Sequence, residues 1–71
     1  MKQDPAAREA EIGQRIKALR ADKGITLESL AQQTGFSKGY LSKVEKSKNA
    51  PPVSTLGNIA RAFNVTISSL L

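Results

Sequence analysis

The sequence predicts an all-α domain of five helices, and three observations support this prediction. Apolar residues recur at helical spacing through most of the chain. Residues that commonly begin or end helices stand at the borders of these segments. No segment shows a convincing strand pattern of alternating polar and apolar residues. With 71 residues, the chain has room for one small domain.

The first predicted helix covers roughly residues 8–23, because its apolar residues are spaced i, i+4 and i+7: Ile12, Ile16 and Leu19. Gly24 follows as a C-terminal cap. Residues 1–8 hold almost nothing apolar, so we predict a flexible N-terminal arm. The helical domain is then expected to span residues 9–71.

Two short helices joined by a tight turn are predicted next. Thr26 is placed to cap helix 2, about residues 27–33, and Ser37 is placed to cap helix 3, about residues 38–46. An apolar residue precedes each cap and can pack on a leucine inside the helix as a hydrophobic staple. Gly35 lies in the turn, where glycine adopts the left-handed conformation that ends a helix.

The fourth predicted helix follows a proline-containing loop and carries a regular apolar series: Val53, Leu56, Ile59, Ala60 and Phe63. The usual Ser or Thr cap is missing, so we expect proline at the first helical position to replace it. Asn64 is expected to end this helix in the left-handed conformation. Thr66 then caps a predicted fifth short helix, which carries Ile67 and Leu70.

The composition limits the chemistry available to the chain. It contains no cysteine and no histidine, which excludes the usual zinc sites, nucleophiles activated by histidine, and histidine proton transfer. We therefore predict no cofactor, no metal and no enzymatic activity. No apolar stretch approaches the roughly 18 residues of a membrane span, and the N-terminus is too polar for a secretory signal. These features predict a soluble, cytoplasmic protein without a membrane partner.

The charge indicates an anionic partner. Eleven Lys and Arg residues against six Asp and Glu residues give a formal net charge of +5. Nucleic acid is the first candidate, although surplus lysines also keep small proteins soluble. The distribution is more informative than the total, because four lysines share one short segment with only Glu45 against them: Lys38, Lys43, Lys46 and Lys48.

The segment LESLAQQTGFSKGYLSKV, residues 27–44, has the spacing of a helix-turn-helix. Small Ala31 lets the two helices approach each other, and Gly35 makes the turn. Thr34 departs from the pattern, since a larger aliphatic residue is more common there. An apolar set joins both helices to a common core: Leu30, Phe36, Leu41 and Val44.

A helical wheel of helix 3 separates a basic, polar face from an apolar one. The basic face lies within about 140° of Lys38, at about 100° per residue, and holds Gly39, Ser42, Lys43 and Lys46. The opposite side holds Tyr40, Leu41 and Val44. Lysine and serine on an exposed helix can reach guanine acceptors or phosphates in a major groove, so this face predicts DNA binding. The alternative is a solvated lysine face on a helix that only packs against the core.

From Ile12 to Leu70 the sequence resembles the five-helix DNA-binding domain of phage repressors, Cro and the xenobiotic-response-element regulators. The segment GYLSKVEKSKNAPPVSTLGNIARAFNV is especially similar to the N-terminal domain of bacterial regulators that carry a cupin-type sensor domain. The resemblance implies a compact lambda-repressor-like fold with helix 3 as the recognition helix. It also implies sequence-specific binding of double-stranded DNA by a bacterial or phage transcription regulator.

The resemblance also implies roles for individual residues. Positions facing bases or adjacent phosphates are Ser37, Lys38, Gly39, Tyr40, Ser42 and Lys43, and positions contacting the DNA backbone are Lys46, Lys48 and Asn49. Arg20 and Glu45 match a structural pair that joins helix 1 to helix 3. Leu27 stands where many relatives have a glutamine that clamps a phosphate. The first N–H groups of helix 2 can still hold a phosphate, aided by Thr26 or Gln32.

The expected partner is a double-stranded DNA operator with approximate two-fold symmetry. A homodimer would place two recognition helices in successive major grooves about 34 Å apart. The dimer would form on DNA or through a C-terminal domain that a longer chain would carry. An alternative function is a protein-interaction module, such as an antitoxin or anti-repressor, on the same fold. Such a module has no need of a basic face on helix 3.

Overall fold

The computed structural model describes residues 5–71, with side chains described from Glu11 onward. This part of the chain forms four α-helices: α1 Pro5–Asp22, α2 Leu27–Thr34, α3 Lys38–Lys46 and α4 Val53–Phe63. A 3-10 helix, Ile67–Leu70, follows them. No strand occurs within the described residues, and the prediction of an all-α domain is confirmed.

The first helix begins earlier than predicted. Its described part starts at Pro5, and proline is well suited to the first turn of a helix, where its missing N–H leaves no bond unmade. Positions 5–8 of the predicted flexible arm, residues 1–8, therefore belong to α1. Positions 1–4 of that arm lie outside the described residues.

The predicted fifth helix is a single 3-10 turn, so the domain has four α-helices rather than five. A segment of four residues is too short to offset the cost of α-helix nucleation, and 3-10 geometry is common in such pieces. Thr66 stands at its N-cap position without a side-chain bond to the backbone. Its hydroxyl instead lies 3.1 Å from the Ser69 hydroxyl.

The caps on either side of the helix-turn-helix turn form as predicted. Thr26 Oγ1 accepts a hydrogen bond from the Ser29 N–H at 3.0 Å. Ser37 Oγ accepts one from the Tyr40 N–H, also at 3.0 Å. Gly35 ends α2 in the left-handed conformation, with φ of 82°. These local bonds fix where both helices begin, and so fix the phase of α3.

The ends of α4 are set by Pro52 and Asn64. Pro52 occupies the N-cap position with ψ of 151°, one residue before the helix rather than at its first helical position. Extended backbone at this residue suits a proline that cannot donate an N–H. Asn64 ends the helix in the predicted left-handed conformation, with φ of 59°.

Thr34, the unusual residue of the motif, closes the turn through hydrogen bonds. Its hydroxyl donates to Leu30 O at 2.8 Å and accepts from the Phe36 N–H at 3.3 Å. Asn58 Nδ2 of α4 donates to Thr34 O at 2.9 Å. Hydrogen bonds therefore hold the turn at the position where an aliphatic residue would pack.

Among residues 11–71, the core contains ten buried apolar residues drawn from all five elements: Ile12, Ile16, Leu30, Leu41, Val44, Leu56, Ile59, Ala60, Phe63 and Leu70. α3 packs on α1 and α2, α2 also packs on α4, and the 3-10 helix packs on α4 and α1. One side of α3 is thereby buried, while its other side faces solvent. Within residues 5–71, none of the helices is both long and apolar enough to cross a bilayer.

α1 and α3 approach each other closely at Gly13. A Cβ atom at this buried position would lie 2.5 Å from Val44 O and 2.7 Å from Glu45 O. Both oxygens belong to the backbone, so they cannot move aside without shifting α3. Glycine therefore lets α1 lie directly on the last turn of α3, a requirement that the sequence pattern did not reveal.

Gly13→Ala is expected to lower the free energy of unfolding by about 1–3 kcal/mol, because the added methyl overfills a packed contact. This loss exceeds the gain of up to about 1 kcal/mol that alanine brings to a helix. Urea denaturation measures the difference. Gly39→Ala is the matched control, since nothing lies within 4 Å of a Cβ there. Its stability should be unchanged or slightly raised, and equal stability of the two variants would contradict the close approach.

Candidate nucleic-acid interface

The outer face of α3 and its N-cap present a row of exposed residues: Ser37, Lys38, Gly39, Lys43 and Lys46. Ser42 is half-buried among them. On the opposite side, Leu41, Val44 and Glu45 are buried. The structure thus brings five of the predicted base-facing residues to one accessible surface: Ser37, Lys38, Gly39, Ser42 and Lys43.

This face contains a shallow depression of about 540 Å³, lined by Gly39, Ser42, Lys43, Lys46 and Ser47. Its floor is low because glycine and serine cover little of the helix backbone. Nothing lies within 4 Å of the position that a Cβ of Gly39 would take. A partner can therefore approach the backbone of α3 more closely here than beside the flanking lysines.

Tyr40, which was also predicted to face bases, lies apart from the other residues of that set and is half-buried. Its hydroxyl is 2.9 Å from Oγ1 of Thr55, a buried residue of α4. Its ring contacts that of Phe36, with centroids 5.0 Å apart and planes at 59°. At about 100° per residue, Tyr40 sits on the edge of α3 that turns toward α4. It links the two helices, because the buried Thr55 hydroxyl requires a partner.

Lys38 contacts an acidic residue of α2. Its Nζ atom lies 3.4 Å from Oε2 of Glu28, and both side chains are more than half exposed. The pKa of the Glu28 carboxyl is lowered, first by a hydrogen bond from its own backbone N–H and then by the charge of Lys38. The sequence interpretation missed Glu28, although its place in the first turn of the helix before the basic face is a usable signal.

The predicted phosphate-contacting residues after α3 are accessible. Lys46 is the last residue of α3, and Lys48 and Asn49 are exposed in the loop that follows. Ser47 shapes this loop, since its hydroxyl donates to Asn49 O and accepts from the Asn49 N–H, both at 3.0 Å. The end of α3 and the loop after it therefore present the side chains of Lys46, Lys48 and Asn49 to solvent.

The start of α2 offers fewer contacts than the loop. Thr26 is exposed, but its Oγ1 already accepts the Ser29 N–H. Leu27 packs against the core instead of reaching outward as a glutamine clamp would. Gln32 is exposed further along the same helix. A phosphate at this end would rely on the Thr26 hydroxyl proton and the remaining free N–H groups of the first turn.

A second concave surface adds α1 residues that the sequence interpretation missed. Gln14 and Lys17 line a groove of about 400 Å³ together with residues at the end of α3: Glu45, Lys46, Ser47 and Lys48. Lys17 precedes Arg20 by three residues, so both lie on the side of α1 that meets α3. The position of Lys17 three residues before Arg20, which was predicted to pair with Glu45, is the sequence signal that could have identified it. The basic surface therefore continues from α3 onto α1.

Arg20 and Glu45 form the ion pair that joins α1 to α3. Arg20 Nε donates to Glu45 Oε2 at 2.7 Å, and Nη2 donates to Oε1 at 3.1 Å. A third donor, Nη1, reaches Ile25 O at 3.0 Å. The side chains are only 16% and 5% exposed. The bond to Glu45 raises the pKa of Arg20 in spite of its burial, so this pair carries no free charge to the surface.

The site offers cations and hydrogen-bond donors to a partner. Its carboxylates are engaged with cations, Glu28 with Lys38 and Glu45 with Arg20. Within residues 11–71, whose side chains are described, no cluster of Asp and Glu residues could hold a metal ion. The arrangement suits the binding of an anionic partner along α3.

A helix-turn-helix held between two flanking helices, with a basic second helix, invites comparison with known families. The helix-turn-helix family HTH_3 matches residues 16–70, which include the whole motif. The chain belongs to the HTH_3 family. The family-level resemblance seen in the sequence is thereby confirmed, while the likeness to regulators with a cupin-type sensor stays a prediction.

Two curated relatives illustrate the similarity of this HTH_3 chain to regulators. The immunity repressor protein of Bacillus phage phi105 is 35% identical over 60 residues, covering 84% of this chain and 42% of the repressor. The transcriptional regulator SinR of Bacillus subtilis is 38% identical over 61 residues, covering 84% of this chain and 55% of SinR. The chain spans about half the length of these relatives.

Solved structures of other regulators have the same fold. The clp gene regulator ClgR of Corynebacterium glutamicum superposes with a TM-score of 0.81 at 33% identity, covering 94% of this chain and 86% of that one. SinR in complex with DNA superposes with a TM-score of 0.75 at 37% identity, covering 83% of this chain and 95% of the SinR chain. SinR in complex with the SinI protein gives 0.76 at 38% identity, covering 84% and 59%.

Glu45→Gln is expected to lower the free energy of unfolding by about 3 kcal/mol, because it leaves the partly buried guanidinium of Arg20 without its counter-charge. Glu11→Gln is the control, since Glu11 and Arg15 form an exposed pair at 3.9 Å and such pairs contribute about 0–1 kcal/mol. Urea denaturation compares the two. A double variant, Arg20→Met with Glu45→Met, should lose less stability than the sum of its single variants. Equal effects of Glu45→Gln and Glu11→Gln would contradict a structural role for the pair.

Proposed function

We propose that this HTH_3 domain binds double-stranded DNA sequence-specifically, as part of a bacterial or phage transcription regulator that acts in the cytoplasm by occupying an operator. The observation that carries the proposal is the division of α3 into a buried side and an exposed, basic side. An exposed helix of this kind fits the major groove, whose width admits an α-helix. No chemical step is required.

The proposed contacts fall into two groups. Residues on the outer face and N-cap of α3 would meet base edges or the adjacent phosphates: Ser37, Lys38, Gly39, Ser42 and Lys43. Residues at the helix ends would meet the DNA backbone: Thr26, Gln32, Lys46, Lys48 and Asn49. Lysine can donate to guanine O6 and N7, whereas phosphate contacts set position and most of the affinity. Arg20 and Glu45 would act indirectly by fixing the angle of α3.

The proposed DNA complex contains two copies of the chain on a site with approximate two-fold symmetry. Two recognition helices would enter successive major grooves about 34 Å apart. The copies would associate on the DNA itself or through a further domain of a longer protein. The structure of SinR in complex with DNA supports DNA binding, although not the number of copies, by analogy.

The alternative proposal is a protein-interaction module on the same fold. The SinR complex with SinI favours it to the extent that a relative of this chain also associates with a protein. The exposed lysines of α3 favour DNA, because a protein-binding helix is expected to present apolar anchors rather than several cations.

Selection from random duplex DNA is expected to enrich a consensus with two related half-sites. With about four phosphates neutralised in each half-site, log affinity for that duplex should fall against log salt concentration with a slope near −7. Lys48→Ala should make the slope shallower by about 1 per chain without changing the order of preferred sequences. A slope near zero, or no enrichment even with an oligomerising fusion, would favour the protein-partner alternative.

Gly39→Ala is expected to weaken binding to the selected duplex roughly fivefold, because a methyl group projects into the depression at its closest approach to the α3 backbone and costs about 1 kcal/mol of base contact. Stability should not fall, for the reason given above. Fluorescence anisotropy measures the affinity. Gly57→Ala in α4 is the control, since its Cβ would make only an ordinary contact with Ile67, at 3.6 Å. Full affinity of Gly39→Ala would show that close approach at this point is unnecessary.

A further inference from the structure

The contact between Glu28 and Lys38 places an acidic group beside the surface that otherwise presents cations. Lys38 begins α3, and Glu28 is the second residue of α2. Their charged atoms are 3.4 Å apart, with 58% of the lysine side chain and 68% of the glutamate side chain exposed. A carboxylate at the edge of a DNA-binding face repels phosphates, so its presence calls for an explanation within the proposed function.

The helix dipoles explain why the two groups pair. Glu28 lies in the first turn of α2, where a negative charge is favoured by the free N–H groups of the helix. Lys38 lies at the first residue of α3, where the same effect disfavours a positive charge. The carboxylate of Glu28 on α2 compensates for the unfavourable position of the Lys38 ammonium group at the N-terminus of α3. The charges at the two helix N-termini therefore favour a Lys38 side chain that extends toward α2.

This pairing restricts what Lys38 can contact. An unpaired lysine is a flexible point charge that binds whichever phosphate it reaches first. A lysine held against Glu28 is restrained beside the N-terminus of α3, the end that meets base edges in helix-turn-helix complexes. The carboxylate of Glu28 also offsets the long-range attraction between the Lys38 ammonium group and a distant phosphate. Both effects reduce binding to arbitrary DNA more than binding to a site with a base acceptor at the right place.

We propose that Glu28 is a specificity-determining positioning residue, which holds Lys38 for contact with a base acceptor and weakens binding to DNA without the operator sequence. The inference rests on the proposed function and extends it to a residue outside the recognition helix. Glu28 acts through Lys38, so its effect on sequence preference requires the lysine.

The test compares Glu28→Gln with the unaltered protein on two duplexes, the selected consensus and a scrambled duplex of the same composition. On scrambled DNA the salt slope should steepen by about 0.9 per chain, which corresponds to roughly eightfold tighter binding at 0.1 M salt. On the consensus duplex, affinity should change less than twofold. The specificity ratio, which is the affinity for the consensus duplex divided by that for the scrambled duplex, should therefore fall. An equal gain on both duplexes, or no gain on either, overturns the proposal.

Two further variants separate positioning from general charge. Glu11→Gln removes a carboxylate from an exposed pair on α1 and should leave the specificity ratio unchanged. In a Lys38→Gln background, Glu28→Gln should no longer alter the ratio, because the residue that it positions is gone. A fall in the ratio with Glu11→Gln, or a persisting effect without Lys38, overturns the proposal. Thermal melting confirms that each variant is folded, and Glu28→Ser replaces Glu28→Gln if that variant is not.

A measurement without DNA keeps this inference distinct from the proposed function. Titration of the Glu28 carboxyl by NMR should give a pKa below the ordinary value, and Lys38→Gln should raise it. No change on removing Lys38 overturns the positioning contact, whatever the DNA experiments show. Selection that yields no consensus even with an oligomerising fusion, while the Glu28–Lys38 contact is intact, would instead contradict the proposed sequence-specific DNA binding.

Discussion

The bond between Arg20 and Glu45 is the interaction on which the exposed surface depends. One guanidinium grips the end of α3 through both oxygens of Glu45 and also holds the carbonyl of Ile25, just before α2. The Arg20 side chain therefore connects α1 with the residue before α2 and with the last turn of α3. Gly13 brings the backbones of α1 and α3 into contact beside this bond. Both contacts join α3 to α1, and α3 packs on α2 as well.

Much of the fold was predictable because its determinants are local. Thr26 and Ser37 bond to N–H groups three residues away, and Gly35 and Asn64 take left-handed conformations that few other residues accept. Apolar spacing identified the core for the same reason, since the apolar residues of an amphipathic helix form one stripe that faces the core. The short final segment was harder, because the spacing of its apolar residues fits a turn of α-helix as well as a 3-10 turn, and only its length of four residues favours 3-10 geometry.

The missed features all depend on distances between elements. Nothing near Gly13 in the sequence indicates that carbonyls of α3 lie against it. Tyr40 carries the same sequence signal whether its hydroxyl faces DNA or bonds to Thr55, since it stands on the border between two faces. The contact of Glu28 with Lys38 requires the turn to bring two helix N-termini together. Local patterns fix which way a side chain points, whereas its partner is set by the packing angle of another helix.

The outer face of α3 has a consequence for how such domains diversify. Gly39, Ser42, Lys43 and Lys46 lie outside the buried core, and position 39 has empty space around it. A substitution at these positions changes the groups available to contact a partner, whereas the packing of the core beneath them stays the same. Selection can thus explore new targets at these positions one substitution at a time, without passing through unfolded intermediates. The caps, Gly13 and the Arg20–Glu45 pair form a framework that substitutions on the outer face of α3 would leave unchanged.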